Sequence, residues 1–127
     1  IYQKKRLEML GLIITVAGSG ASMLAIKHLI QRPRPVGIAA IVEDSYSFPS
    51  GHGTLSMALY GYLIYLLWLT KWSRAIKICF AILLAVLIIL VGFSRLYLGV
   101  HYLTDVLAGL ALGAVWIWFA VRLAGRR

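Results

Sequence analysis

The chain has 127 residues, of which 61% are hydrophobic and only 13% charged, with a mean hydropathy of +0.88. A soluble domain is roughly half apolar and about a quarter charged, so this composition excludes a water-soluble globule, a disordered or collagen-like chain and a disulfide-stapled scaffold. Thirteen Lys and Arg against four Asp and Glu leave a net charge of +9, which in so apolar a chain points to basic cytoplasmic loops rather than to nucleic acid, and the lone Cys79 excludes an internal disulfide.

In chain order, Lys4, Lys5 and Arg6 precede a first apolar stretch over residues 9–30. The three cations resemble the start of a signal peptide, but the stretch is too long for one and lacks a cleavage site. Pro33 and Pro35 should end this helix, because proline has no N–H to donate and restrains the residue before it. A long connection, 31–52, holds all three prolines. The second stretch covers 53–70, and a short basic connection with Lys71 and Arg74 leads to the third, 75–93. The connection 94–102 carries Arg95 and His101, and the fourth stretch covers 103–123. A spanning helix needs about 20 residues, with ~17 the lower limit, so all four qualify, the second and third narrowly. The expected fold is all-α: a polytopic transmembrane helical bundle, with residues 1–127 as one membrane-embedded domain.

Four spans place the basic residues unevenly. Lys4, Lys5, Arg6, Lys71, Arg74, Lys77, Arg122, Arg126 and Arg127 fall on one side, which the positive-inside rule assigns to the cytoplasm. Trp68, Trp72, Trp116 and Trp118 fall near the same face, as an interfacial belt would. The connections 31–52 and 94–102 then face outward together, with Lys27, Arg32, Arg34, Arg95, His52, His101 and Asp105 on or beside them. Ionisable residues near membrane depth are costly, which makes them functional candidates.

Three patterns stand on that outward side: Lys27 with Arg34-Pro35, then Pro49-Ser50-Gly51-His52, then Ser94-Arg95 with His101 and Asp105. His101 and Asp105 are four apart and can share a helix face. A carboxylate accepting the Nδ1 proton would free Nε2 for attack; alternatively the pair only joins two helix ends. His52 can serve as a general acid or as an interfacial histidine with a water partner. Ser50 is a good N-cap, and Gly51 allows close approach to a ligand at a helix start, where free N–H groups attract anions. Lys27, Arg34 and Arg95 supply cations that could stabilise a phosphoryl group or snorkel to lipid head groups.

The ordered triple is similar to the signature of the phosphatidic-acid phosphatase type 2 superfamily, K-x6-RP, PSGH and SR-x5-H-x3-D, and every fixed position matches. The resemblance covers Lys27 to Asp105 by motif and the flanking helices by hydropathy. It implies an integral-membrane lipid phosphatase that acts on a phosphate monoester or pyrophosphate, with undecaprenyl pyrophosphate, phosphatidic acid and phosphatidylglycerol phosphate as candidate substrates. It implies His101 as nucleophile forming a phosphohistidine, Asp105 as its orienter, His52 as general acid, and Lys27, Arg34, Ser50, Gly51 and Arg95 as phosphate binders. It also implies catalysis without a metal or other cofactor, the protein's cations taking the part Mg²⁺ plays elsewhere. The expected location is the cytoplasmic membrane, with the site on the extracytoplasmic side. The partners are a lipid phosphate and membrane lipids but no nucleic acid; the oligomeric state is not specified. Two rival readings keep the fold: a lipid phosphotransferase, and a non-enzymatic lipid-phosphate-binding module. The resemblance further implies six helices with the motifs in the second half, so either two helices precede Ile1 or the form is shortened.

The remaining features read as structural. Arg32 is expected to touch head groups and His28 to be a structural or interfacial histidine, while Glu43 and Asp44 are expected to be solvated loop charges. Gly109 and Gly113, with Gly18 and Ser22, should allow close helix packing within the chain.

Overall fold

The computed structural model describes residues 2–37 and 41–124. Arg126 and Arg127, counted above among the basic residues, lie outside them. Among the described residues the regular structure is helical, without a strand. Helix α1 is Tyr2–Ile30. A helical run follows, made of α2 (Gly51–Ser56), a π-helical turn (Met57–Gly61) and α3 (Tyr62–Leu69). Helices α4 (Arg74–Tyr97) and α5 (Leu103–Ala124) complete the chain.

The expected count of four spans needs correction. Among the described residues three helices are long and apolar enough to cross a membrane: Lys5–Ile30, Arg74–Tyr97 and Leu103–Leu123. The second stretch is helical from residue 51 to 69, but the π turn divides it into pieces of 6, 5 and 8 residues, none long enough alone. With three such helices the chain is a multi-pass membrane protein. Large apolar side chains such as Ile89, Leu90 and Phe93 on α4 lie exposed, as lipid-facing residues do.

Local chemistry explains where the helices stop. Gln31 adopts a positive φ of 51° and donates its N–H to Lys27 O at 3.0 Å, an αL cap without glycine. Pro33 and Pro35 then keep the chain from resuming a helix. Helix α4 ends in a Schellman turn. Gly99 takes φ 67° and donates to Leu96 O, while Val100 N–H reaches back to Arg95 O at 3.3 Å. Helix α5 begins with a carboxylate cap: Asp105, in the first turn, accepts the N–H of Tyr102 at 2.8 Å. The tripeptide Val100-His101-Tyr102 is thus held between one helix's end and the next helix's start.

Small residues set the packing. A Cβ on Gly109 would sit 2.6 Å from Ser50 O, and one on Gly113 would sit 2.8 Å from Thr54 O, so α5 touches the backbone of α2 directly. The expected intramolecular use of this G-x-x-x-G pair holds. Trp116 departs from the interfacial belt. Its ring lies on Gly18 of α1, and its Nε1–H donates to Ser22 Oγ at 3.1 Å. Two small residues one turn apart leave a slot that the indole fills. Trp68, Trp72 and Trp118 remain exposed.

Candidate active site

Each structural device above delivers a side chain to the same end of the bundle. The αL cap and the prolines extend residues 31–35, so Arg32 and Arg34, two apart, both reach the 100–105 segment. Arg32 Nη1 lies 2.8 Å from Asp105 Oδ1, and Arg34 Nη1 donates to Val100 O at 2.8 Å. The same Arg34 nitrogen lies 3.3 Å from His101 Nε2. Lys27, in the last turn of α1, is buried and donates to Tyr46 O at 2.7 Å. Ser50 caps α2 by accepting the N–H of Gly53 at 3.2 Å, and its own N–H donates to Asp105 O at 2.9 Å.

A cavity of about 220 Å³ opens among these groups, walled by Lys27, Arg34, Glu43, Gly51, His52 and His101 together with Ser45 and the apolar Met23 and Leu24. Five of the eight expected site residues therefore share one space: Lys27, Arg34, Gly51, His52 and His101. The other three stand behind or beside it. Asp105 is fully buried under His101. Ser50 is fully buried too, its oxygen committed to the helix cap, so it shapes the floor. Arg95 reaches the cavity through Glu43, whose Oε1 lies 3.9 Å from its Nη1.

His101 and Asp105 lie as the i, i+4 spacing suggests, although His101 precedes α5 rather than starting it. The expected hydrogen bond between them is not made. Nδ1 lies 3.5 Å from Oδ2, and it is buried without a hydrogen-bond partner. Oδ2 is already occupied by the hydroxyl of Ser47 and the N–H of Tyr102. Burial, and next the Arg34 guanidinium, hold the His101 pKa below the ordinary histidine value of 6.5 against the opposing pull of Asp105. The ring is therefore neutral at neutral pH. A guanidinium only donates, so the proximity of Arg34 favours the tautomer with Nε2 unprotonated and the proton on Nδ1, facing the carboxylate. His52 is lowered likewise, by partial burial first and then by the charge of Arg95.

Three residues have roles that composition and spacing did not show. Arg32, expected at the head groups, pairs with Asp105 and stacks its guanidinium 4.1 Å from the Tyr102 ring centre. Ser47 was not singled out at all; it binds the same carboxylate. Glu43, expected in solvent, lies 2.5 Å from Arg34 Nη2 and bridges towards Arg95. Only Arg32 left a trace in the sequence, as a second Arg-Pro two residues before Arg34-Pro35. His28 matches its structural reading, edge-on against Tyr46. Among the described residues no three His, Cys, Asp or Glu side chains gather as a metal-binding cluster would.

The bundle thus carries, at one end, a cavity lined by two histidines together with Lys27 and Arg34. A sequence profile described as PAP2 superfamily matches residues 8–127, so the chain belongs to the PAP2 superfamily. It is 38% identical over 102 residues to phosphatidylglycerophosphatase B of Bacillus subtilis (strain 168), covering 76% of this chain and 48% of that protein. It is 32% identical over 123 residues to an undecaprenyl-diphosphatase of Sulfolobus acidocaldarius, covering 91% of this chain and 55% of that one. Its fold is similar to the crystal structure of a transmembrane PAP2-type phosphatidylglycerolphosphate phosphatase from Bacillus subtilis, with TM-score 0.84 and 31% identity. That match covers 92% of this chain and 59% of the other. The chain thus spans about half the length of the two curated relatives named here.

Proposed function

We propose that this chain carries the catalytic centre of an integral-membrane lipid phosphatase that works through a phosphohistidine. The observation that carries the reading is the approach of Arg34 Nη1 to His101 Nε2 at 3.3 Å, in a cavity that Lys27 and His52 also line. A phosphate bound to Arg34 and Lys27 would lie against an unprotonated ring nitrogen.

The steps follow from the groups present. The lone pair of Nε2 forms a bond to phosphorus as the bond to the leaving oxygen breaks, and His52 gives that oxygen a proton. The Nδ1 proton stays on the ring, whose developing positive charge faces Asp105. Lys27, Arg34 and Arg95 offset the charge on the three equatorial oxygens, and the N–H groups at the start of the 51–69 helical run add to this field. Water then attacks phosphorus on the other side, gives up a proton to His52, and the P–N bond breaks. Inorganic phosphate leaves and both histidines return to their starting state.

The substrate's apolar part has a place beside this cavity. A groove of about 370 Å³ shares Gly51 and His52 with it and continues along Leu55, Leu59, Tyr60 and Val91. A chain lying there would put its head group at His52. The relatives' names include a phosphatidylglycerophosphatase and an undecaprenyl-diphosphatase; we take undecaprenyl pyrophosphate first and phosphatidylglycerol phosphate second. Lys5 and Arg6 at the start of α1, Lys71, Arg74 and Lys77 around the start of α4 and Arg122 at the end of α5 belong to the helix ends away from the cavity, and this distribution supports a place in the cytoplasmic membrane with the site facing outward. Phosphate release from defined lipid mono- and diphosphates, in detergent and without added metal, tests the reading. Turnover of at least one supports it; binding without release from any member of the panel contradicts it.

A further inference from the structure

Asp105 poses a question that catalysis by His101 alone does not answer. It is fully buried, and burying a carboxyl group is costly unless charged and hydrogen-bonding partners satisfy it. His101 supplies no hydrogen bond to it. The partners are instead Arg32 on Oδ1, and Ser47 and the Tyr102 N–H on Oδ2. Arg32 is itself fixed twice more: Nη1 donates to Thr104 Oγ1 at 2.7 Å, and its guanidinium lies over the Tyr102 ring. It is not among the residues lining the 220 Å³ cavity.

We propose that Arg32 is a positioning residue of the reaction: its guanidinium fastens Oδ1 of Asp105, and so presents Oδ2 to Nδ1 of His101. The proposal rests on His101 being the nucleophile. Two oxygens and two kinds of partner make the assignment specific. A carboxylate anchored at one oxygen cannot rotate, so the other keeps its direction. Ser47 and the Tyr102 N–H hold Oδ2 in the ground state. When Nε2 bonds to phosphorus the ring becomes cationic, and Nδ1–H, now a stronger donor, closes the 3.5 Å gap to an oxygen already aimed at it. Arg32 thus does for Asp105 what outer-shell partners do for metal ligands elsewhere, where their loss costs about 10–100-fold in metal affinity or activity. Arg34, two residues on, has the other duty, facing the cavity and binding phosphate.

The two arginines should separate kinetically. Arg32→Gln, purified in detergent and shown folded by gel filtration and thermal unfolding, should lower kcat about 10–100-fold. Its inhibition constant for inorganic phosphate should stay within about twofold, while Arg34→Gln should weaken phosphate inhibition strongly. Arg32→Lys, which keeps a cation near Oδ1, should recover part of the lost kcat, and it carries the test alone if Arg32→Gln does not fold. Ser47→Ala should leave phosphate inhibition equally unchanged. The proposal is overturned if kcat is unaltered in the folded Arg32 variants, or if phosphate inhibition weakens in them as it does in Arg34→Gln. His101→Ala is the control for the underlying reading. An active His101→Ala removes the nucleophile assignment itself. An inactive one beside normal kcat in the Arg32 variants removes only the positioning role.

Discussion

The buried imidazole of His101 links the local chemistry to a measurable pH dependence. Burial and the Arg34 charge favour its neutral form, so its folded pKa lies below 6.5. Attack requires the neutral ring. Activity should therefore fall as pH drops through the lowered His101 pKa, and fall again towards higher pH as His52, whose pKa is also lowered, loses the proton it gives to the leaving oxygen. The acidic limb of kcat/KM, which reports the free enzyme, should lie below pH 6.5; an acidic limb above it would contradict the burial argument. Glu43 makes a second prediction. Its carboxylate holds Arg34 and reaches towards Arg95, two cations that a phosphate would need. Binding must displace it. Glu43→Gln should tighten inhibition by inorganic phosphate by about tenfold, since a charge-assisted contact of ~1.5 kcal/mol no longer competes. Unchanged or weaker inhibition would show that Glu43 does not compete for this site.

At the scale of elements, the placement of the proposed site residues depends on how helices end and touch. Gly109 is the sharpest case, because an added methyl would lie 2.6 Å from Ser50 O and 3.0 Å from Thr54 N, both backbone atoms that cannot turn aside. Gly109→Ala should destabilise the protein by about 1–3 kcal/mol and shift the PSGH segment, lowering kcat. Gly20→Ala is the matched control: its methyl would meet only Leu55 Cδ2, at 3.7 Å, an ordinary contact. Thermal unfolding and turnover of the two variants check this, and equal behaviour would contradict it. Much at this scale was legible beforehand. Apolar runs located the helices, and Pro33 and Pro35 marked the end of the first. The π turn at Met57–Gly61 was not legible. A wider turn leaves no mark in an apolar run, and it divides the second stretch into three short helical pieces. The site was legible where motif spacing is local, as for His101 and Asp105. It was not legible for Arg32, Ser47 and Glu43, whose partners lie 73, 58 and, for Glu43 with Arg95, 52 positions away in the chain (95 − 43 = 52). Pairings over such separations come from the assembled bundle, and hydropathy carries no information on them.

For the whole molecule, the fold gathers the polar chemistry at one end and leaves apolar surface along the helices. That asymmetry makes the proposed orientation testable. With the lone exposed Cys79 replaced by Ala, Ser45→Cys beside the cavity should react with a membrane-impermeant maleimide added to intact cells, and Lys71→Cys should not. The reverse pattern would place the site in the cytoplasm. The relation of Arg34, His101 and Asp105 leads to a more direct observation. Purified protein mixed with a lipid substrate labelled in its phosphate and quenched rapidly in base should carry label on His101, as an acid-labile, base-stable phosphoramidate that His101→Ala does not form. Steady release of labelled phosphate by His101→Ala, or label found on another residue of the wild-type chain, would contradict the account.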